Sequence, residues 1–184
     1  MVGVREAITK KNQFLSGFLK RNLDDNFSLN KAMTDLSDFL ATDEEVCLIF
    51  EDDLECKHSP AKVHGAVKQH IHDVPEDWDI INMGSCWRKC HKDEYVTENL
   101  VKAEGALCRH GYLVNRKGAQ KVLQGTLPMR NKPGDKSIID MGSDINIYAS
   151  SPRLFEQRRD DTDTFTSNLE NGKAPPAECA KRYR

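Results

Sequence analysis

The chain has 184 residues, the size of one ordinary domain, so we do not expect a second full domain. Its 27 Lys and Arg residues against 29 Asp and Glu residues leave a formal net charge of -2, which argues against nucleic-acid binding through a general basic surface. No apolar run reaches the roughly 18 residues of a membrane span, and charged residues interrupt the N-terminal segment, so neither a span nor a signal peptide is predicted. We therefore expect a soluble protein of the cytoplasm or of the lumen of the secretory pathway.

The predicted elements begin with a helical N-terminal segment, residues 1–27, whose apolar residues fall near helical spacing. Ser28 is a good N-cap for a clearer second helix, whose apolar face consists of Leu29, Met33, Leu36 and Leu40. The apolar run Val46–Phe50 follows and predicts a strand that is buried on both faces.

Beyond this strand, helices and strands alternate as far as residue 157. Pro60 opens a helix, and further strands are predicted at residues 78–83, 111–114 and 145–149, with a helix at 116–123. Residues 84–99 are predicted to be an irregular excursion and residues 131–134 a turn. This alternation favours an α/β fold with a mostly parallel central sheet flanked by helices. Residues 158–184 are polar and predict a tail outside the domain of residues 28–157.

Three acidic residues, Glu51, Asp52 and Asp53, stand directly after the first predicted strand. Ligand sites of open α/β sheets gather at the carboxyl ends of strands, so we expect these side chains to face a cleft. Because alternate residues of a strand share a face, Glu51 and Asp53 are expected to point together and Asp52 away from them. Such a pair is a half-site for Mn²⁺ or Mg²⁺ that leaves positions for water and substrate phosphate. An acidic turn in solvent explains the triplet equally well.

A second group of metal-binding residue types lies in or near the excursion. Three thiols and two imidazoles have the composition of a Cys₃His zinc site: Cys86, Cys90, Cys108, His91 and His110. A disulfide or free thiols are the alternatives, and all three interpretations remain open. Cys47, within the apolar strand, is expected to be a core residue.

Four stretches of the sequence resemble the glycosyltransferase 25 family, which includes bacterial lipooligosaccharide galactosyltransferases and animal collagen galactosyltransferases. They are residues 48–54 (LIFEDDL), 78–84 (WDIINMG), 111–119 (GYLVNRKGA) and 148–157 (YASSPRLFEQ). The resemblance covers roughly residues 28–157 and implies a GT-A-like nucleotide-sugar transferase fold, with the acidic triplet as its DXD-like metal motif. The early strand of that pattern is not recognisable, and Leu29 stands where the family has a histidine, so the resemblance is to a short or N-terminally truncated member.

The resemblance implies a function in glycan biosynthesis: inverting transfer of a hexose, galactose or glucose, from a UDP-sugar to a hydroxyl group of a glycan or protein. Glu51 and Asp53 would bind Mn²⁺ or Mg²⁺, and Asp52 and Asp144 would contribute to cofactor binding. Inversion requires a catalytic base, for which Asp135 and Asp140 are the candidates, with Asp144 competing for the same role.

The resemblance also bears on the cysteines, since relatives of the eukaryotic type carry similar ones. It implies a disulfide from Cys108 to Cys86 or Cys90. Two other functions remain open: a non-catalytic carbohydrate-binding or scaffold protein derived from the same fold, and a metal-dependent phosphoesterase that uses the same carboxylates.

Overall fold

The computed structural model describes residues 28–85, 92–106, 108–126 and 134–158. The predicted N-terminal helical segment lies outside these residues, as does the predicted tail beyond Arg158. The described helices are α1 (Ser28–Leu40), α2 (Pro60–Asp73), α3 (Arg116–Thr126) and α4 (Gly134–Ile139), with a 3₁₀ turn at Gly142–Asp144. The described strands are β1 (Val46–Phe50), β2 (Leu54–Glu55), β3 (Ile80–Asn82), β4 (Glu94–Thr97), β5 (Leu100–Lys102), β6 (Gly111–Asn115), β7 (Ile147–Ser150) and β8 (Glu156–Gln157).

Six of these strands form a mixed sheet in the order β1-β6-β3-β7-β5-β4. Within it β3 and β7 pair in parallel, whereas the other pairs are antiparallel. The predicted α/β class is confirmed, but the prediction of a mostly parallel sheet is wrong. The inner strands β3 and β6 are buried because both faces of the sheet are covered, and this does not require parallel neighbours. β1 lies at the edge of the sheet and is mostly half-buried, so the predicted burial of this strand on both faces is wrong. β2 and β8 form a separate antiparallel pair.

Apolar side chains are divided between the two faces of the six-stranded sheet. Neighbouring residues of β3 belong to different clusters, Ile80 to one and Ile81 to the other, as the alternation of a strand requires. The first cluster includes side chains from α1, α3 and α4: Leu36, Phe39, Ala119, Val122 and Ile138. The second is covered by α2 through Val63, Ala66 and Val67. The chain therefore has a three-layer α/β/α arrangement.

Local hydrogen bonds determine where α2 and α3 begin. The hydroxyl of Ser59 accepts a hydrogen bond from the N–H of Lys62 (3.4 Å), and Pro60 occupies the first turn of α2. The side-chain oxygen of Asn115 likewise accepts from the N–H of Gly118 (2.7 Å). Both starts agree with the sequence prediction. In the described ranges, no helix is long and apolar enough to cross a membrane.

Candidate metal centre

The acidic triplet and His110 lie at the same edge of the sheet because β1 and β6 are antiparallel neighbours. Phe50, the last residue of β1, pairs with Gly111, the first residue of β6. The ladder continues by one step, since the N–H of Glu51 donates to the carbonyl of His110 over 3.0 Å. Glu51 and His110 are therefore cross-strand neighbours, and their side chains come within reach of each other.

Asp53 is held by the second, two-stranded sheet. The chain turns after β1, where the N–H of Leu54 donates to the carbonyl of Glu51 (3.3 Å), and then pairs with β8. The carbonyl of Asp53 accepts from the N–H of Arg158 (2.6 Å), and its Oδ2 accepts from Nε2 of Gln157 (2.6 Å). This pairing fixes the carboxylate and leaves Oδ1 facing Nδ1 of His110.

Glu51, Asp53 and His110 form a compact cluster of potential metal ligands, which we call the triad. Their ligand atoms all lie within 4.8 Å of one another. Nδ1 of His110 is 3.2 Å from Oε2 of Glu51 and 3.5 Å from Oδ1 of Asp53. His110 is buried and Asp53 half-buried, whereas the Glu51 side chain is 40% exposed, so the cluster opens to solvent on the Glu51 side.

The two carboxylates control the protonation of the imidazole. Burial disfavours a charged ring, but the neighbouring Asp53 and Glu51 outweigh burial and raise the pKa of His110 to about 9. Burial also acts to raise the pKa of Asp53, yet His110 and Gln157 lower it below its ordinary value. Without a metal ion, the triad at neutral pH therefore contains one imidazolium between two carboxylates.

The donor set of the triad fits a divalent cation. Two ligand atoms that each lie about 2.1 Å from one ion at roughly right angles are about 3 Å apart, close to the observed separations. Oδ1 of Asp53 is buried and accepts no hydrogen bond of good geometry from the described residues, so it retains capacity for a ligand bond. The exposed side of Glu51 leaves room for water or a bound anion. Glu51, Asp53 and His110 could therefore hold a metal ion.

The structure brings Glu51 and Asp53 together, although not for the predicted reason. β1 ends at Phe50, so the two acids approach through a turn and not through strand alternation. Asp52 is exposed in this turn, and Asp144 is exposed in the 3₁₀ turn. Neither belongs to the triad, and no described contact joins Asp144 to it.

Of the two predicted base candidates, Asp135 has a direct connection to the chain around the triad. Its Oδ2 accepts from the N–H of Cys108 (3.0 Å), two residues before His110. Asp140 is exposed and pairs with Nζ of Lys136 (2.6 Å) along α4. The described contacts thus link Asp135, but not Asp140, to the segment that carries His110.

Cys108 is disulfide-bonded, so its sulfur is not a zinc ligand in this structure. Cys86, Cys90 and His91 lie outside the described residues. Cys108 has a positive φ of 59°, and its carbonyl accepts from Nδ2 of Asn82 (2.7 Å). Cys47 packs against the first apolar cluster, as expected of a core residue.

Sequence reasoning assigned His110 only to a possible zinc site with cysteines and missed its partnership with the acids. The signal that could have found it was the antiparallel register of β1 and β6. Once Phe50 faces Gly111, the residue after the first strand must face the residue before the second. The expectation of parallel strands concealed this relation.

No protein-family model matches the chain, and no curated protein matches it. The resemblance to glycosyltransferases therefore rests on the four stretches of sequence described above.

Proposed function

We propose that this chain is a metal-dependent glycosyltransferase of the glycosyltransferase 25 type. It would move galactose or glucose from a UDP-sugar to a hydroxyl group of a glycan or protein, with inversion. The observation that carries the proposal is the triad, two carboxylates and an imidazole at the carboxyl end of β1, open to solvent on one side. Further support comes from the three-layer α/β/α arrangement, which is compatible with a GT-A-like fold.

The triad favours Mn²⁺ over Mg²⁺. Carboxylates suit both ions, but an imidazole ligand is better matched to a transition metal than to Mg²⁺. A bound Mn²⁺ would neutralise the charge of the departing nucleoside diphosphate. His110 would release its proton to become a ligand, and Gln157 would keep Asp53 oriented by holding the other carboxylate oxygen.

Asp135 is the proposed catalytic base. Its hydrogen bond from Cys108 connects it with the segment that carries His110, while its carboxylate retains acceptor capacity for the hydroxyl proton of the sugar acceptor. The ion pair of Asp140 with Lys136 gives that residue less support for the role. Asp52, next to both acidic ligands and exposed, stays a proposed donor contact, whereas Asp144 has no comparable support.

Isothermal titration of UDP, with and without Mn²⁺, tests this function. We expect wild-type binding to require Mn²⁺ and to weaken by about tenfold or more in Asp53→Asn, because the substitution removes one charged ligand. Asp43→Asn is a matched control, since Asp43 is exposed before β1, at the end opposite the triad. Transferase activity would then be assayed with UDP-galactose and UDP-glucose. UDP binding that is equally strong in Asp53→Asn would contradict the metal assignment.

One observation favours a second function, that of a non-catalytic carbohydrate-binding or scaffold protein. A protonated His110 already offsets part of the carboxylate charge without any ion. A chain of this kind would fold normally, bind glycans and bind neither Mn²⁺ nor UDP. The same titrations therefore decide between the two functions.

A further inference from the structure

Arg109 is a buried cation that forms no ion pair with any described residue. Arg109 is only 7% exposed, and no described residue accepts a hydrogen bond from its Nε or Nη1. The guanidinium carbon lies 5.4 Å from the centre of the Tyr112 ring. The hydroxyl of Tyr112 is likewise buried and has no hydrogen-bond partner among the described residues. Two polar groups next to each other thus lack the partners that burial normally demands.

Arg116 provides a comparison within the same chain, because its guanidinium has hydrogen-bond partners. Its guanidinium also lies over an aromatic ring, that of Phe39, at 5.8 Å. In contrast to Arg109, it donates hydrogen bonds to three carbonyls at the end of α1 and just beyond it, those of Leu40 (2.9 Å), Thr42 (2.6 Å) and Glu44 (3.1 Å). The ring contact alone therefore does not satisfy a guanidinium, and Arg109 has hydrogen-bonding capacity to offer.

A buried charge without a partner is costly for folding, so its retention calls for a compensating ligand. The planar fork of a guanidinium matches two oxygens of one phosphate or carboxylate group. The buried Tyr112 hydroxyl, which has no partner among the described residues, can donate a hydrogen bond to the same anion.

The position of Arg109 indicates which anion this is. Arg109 directly precedes His110 of the triad and directly follows Cys108, whose N–H is bound by Asp135. Tyr112 pairs with Ile49, two residues before Glu51, so the guanidinium lies over the two strands that carry the triad. We propose that Arg109, assisted by the Tyr112 hydroxyl, binds the diphosphate of the nucleotide donor beside the metal centre. This inference rests on the proposed function.

Titrations with inorganic pyrophosphate and with UDP, both in the presence of Mn²⁺, test the inference. We expect Arg109→Gln to weaken both ligands by about tenfold or more, as loss of a charged hydrogen-bonding pair implies. Binding of Mn²⁺ alone, measured by electron paramagnetic resonance, should change by less than about threefold, because Arg109 is not a metal ligand. Lys117→Gln removes the same charge from an exposed site on α3 and should leave all three affinities unchanged.

Thermal unfolding separates a binding role from a structural one. Without ligand, Arg109→Gln should melt at the wild-type temperature or above it, because the substitution removes an uncompensated buried charge. A clear decrease in the melting temperature would indicate that Arg109 supports the fold and would overturn the inference. Arg109→Lys keeps the charge but not the fork, so it should fold and bind pyrophosphate with intermediate affinity.

The outcomes distinguish this inference from the proposed function. Pyrophosphate binding that depends on Arg109, without UDP preference or sugar transfer, would support the anion site and contradict the transferase. Sugar transfer with unchanged UDP affinity in Arg109→Gln and Arg109→Lys would overturn the anion site and leave the transferase standing. A wild-type chain that binds neither pyrophosphate nor UDP would overturn both.

Discussion

His110 couples the protonation of the triad to the stability of the protein. Its ring is buried beside two carboxylates, and this contact holds the proton more tightly than in an unfolded chain. A proton and a metal ion would compete for the same nitrogen.

We expect metal-free protein to lose stability as the pH rises from about 6.5 to about 9 and beyond. The folded-state pKa of His110, about 9, lies above its ordinary value of 6.5. The stabilisation from its contacts with the two acids is therefore fully present below pH 6.5 and is lost as His110 loses its proton. The difference between these two pKa values corresponds to at most about 3 kcal/mol in the free energy of unfolding. Urea denaturation in EDTA between pH 6 and 10 measures it.

His110→Gln should abolish this part of the pH dependence, because glutamine does not titrate. His64→Gln is the control, since His64 is exposed on α2 and should leave the wild-type curve unchanged. Parallel curves for wild type and His110→Gln would show that the ion pair with the acids contributes nothing to folding.

The two acidic residues of the triad could be predicted from the sequence, but His110 as their partner could not. Glu51 and Asp53 follow a run of five apolar residues, which is a local signal. The relation of Glu51 to His110 depends on strand direction, which apolar periodicity does not encode. In a parallel arrangement His110 would lie at the far end of the strand, roughly 16 Å away for five residues.

The sequence predicted the longer helices and strands better than the shortest ones. Apolar patterns and caps predicted α1, α2, α3, β1, β3, β6 and β7 with small shifts at their ends. The short β2 and β8, of two residues each, were missed because no periodicity can be read from two residues. They were nevertheless the elements that fix Asp53. The six-residue α4 was missed beside the predicted turn.

The contact between α3 and the start of β3 requires a glycine. A Cβ atom at Gly118 would collide with the backbone carbonyl of Asp79, which cannot move aside as a flexible side chain could. We expect Gly118→Ala to lower the free energy of unfolding by roughly 1–3 kcal/mol, the usual cost of overpacking. Chemical denaturation provides the measurement.

Gly65 in α2 provides the matched control for this substitution. It is exposed, and nothing lies within 4 Å of a Cβ atom built there. Gly65→Ala should therefore raise the free energy of unfolding by roughly 0.5–1 kcal/mol, through helix propensity alone. Similar effects of the two substitutions would refute a steric role for the Gly118 contact.

The triad connects parts of the molecule that are distant in the chain. Glu51 directly follows β1 and His110 directly precedes β6, while Asp53 is held by β8 through Gln157. A metal ion bound by all three residues would link the six-stranded sheet to the two-stranded pair. Metal binding should therefore stabilise the fold as a whole.

We expect Mn²⁺ at about one hundred times its dissociation constant to raise the free energy of unfolding by about 2.7 kcal/mol. The same ion should slow hydrogen exchange at the N–H of Arg158, which donates to the carbonyl of Asp53. At that Mn²⁺ concentration, a tenfold weaker affinity in Asp53→Asn should reduce the gain to about 1.4 kcal/mol and weaken the protection, whereas Asp43→Asn should retain both effects in full. Protection confined to β1 and β6 would argue against a site shared with β8.

The hydrogen bond from Gln157 to Asp53 spans 104 positions of the chain, and this sets the order in which the site can be assembled during synthesis. At about 5–20 residues per second, the ribosome adds Gln157 roughly 5–20 s after Asp53. During that interval the nascent chain carries the acidic triplet without its partners. His110 is added part-way through the interval, and β8, which orients Asp53, is added at its end. A cation that bound at this stage would meet the carboxylates before their partners, so the complete triad could discriminate between metals only after Gln157 has been added.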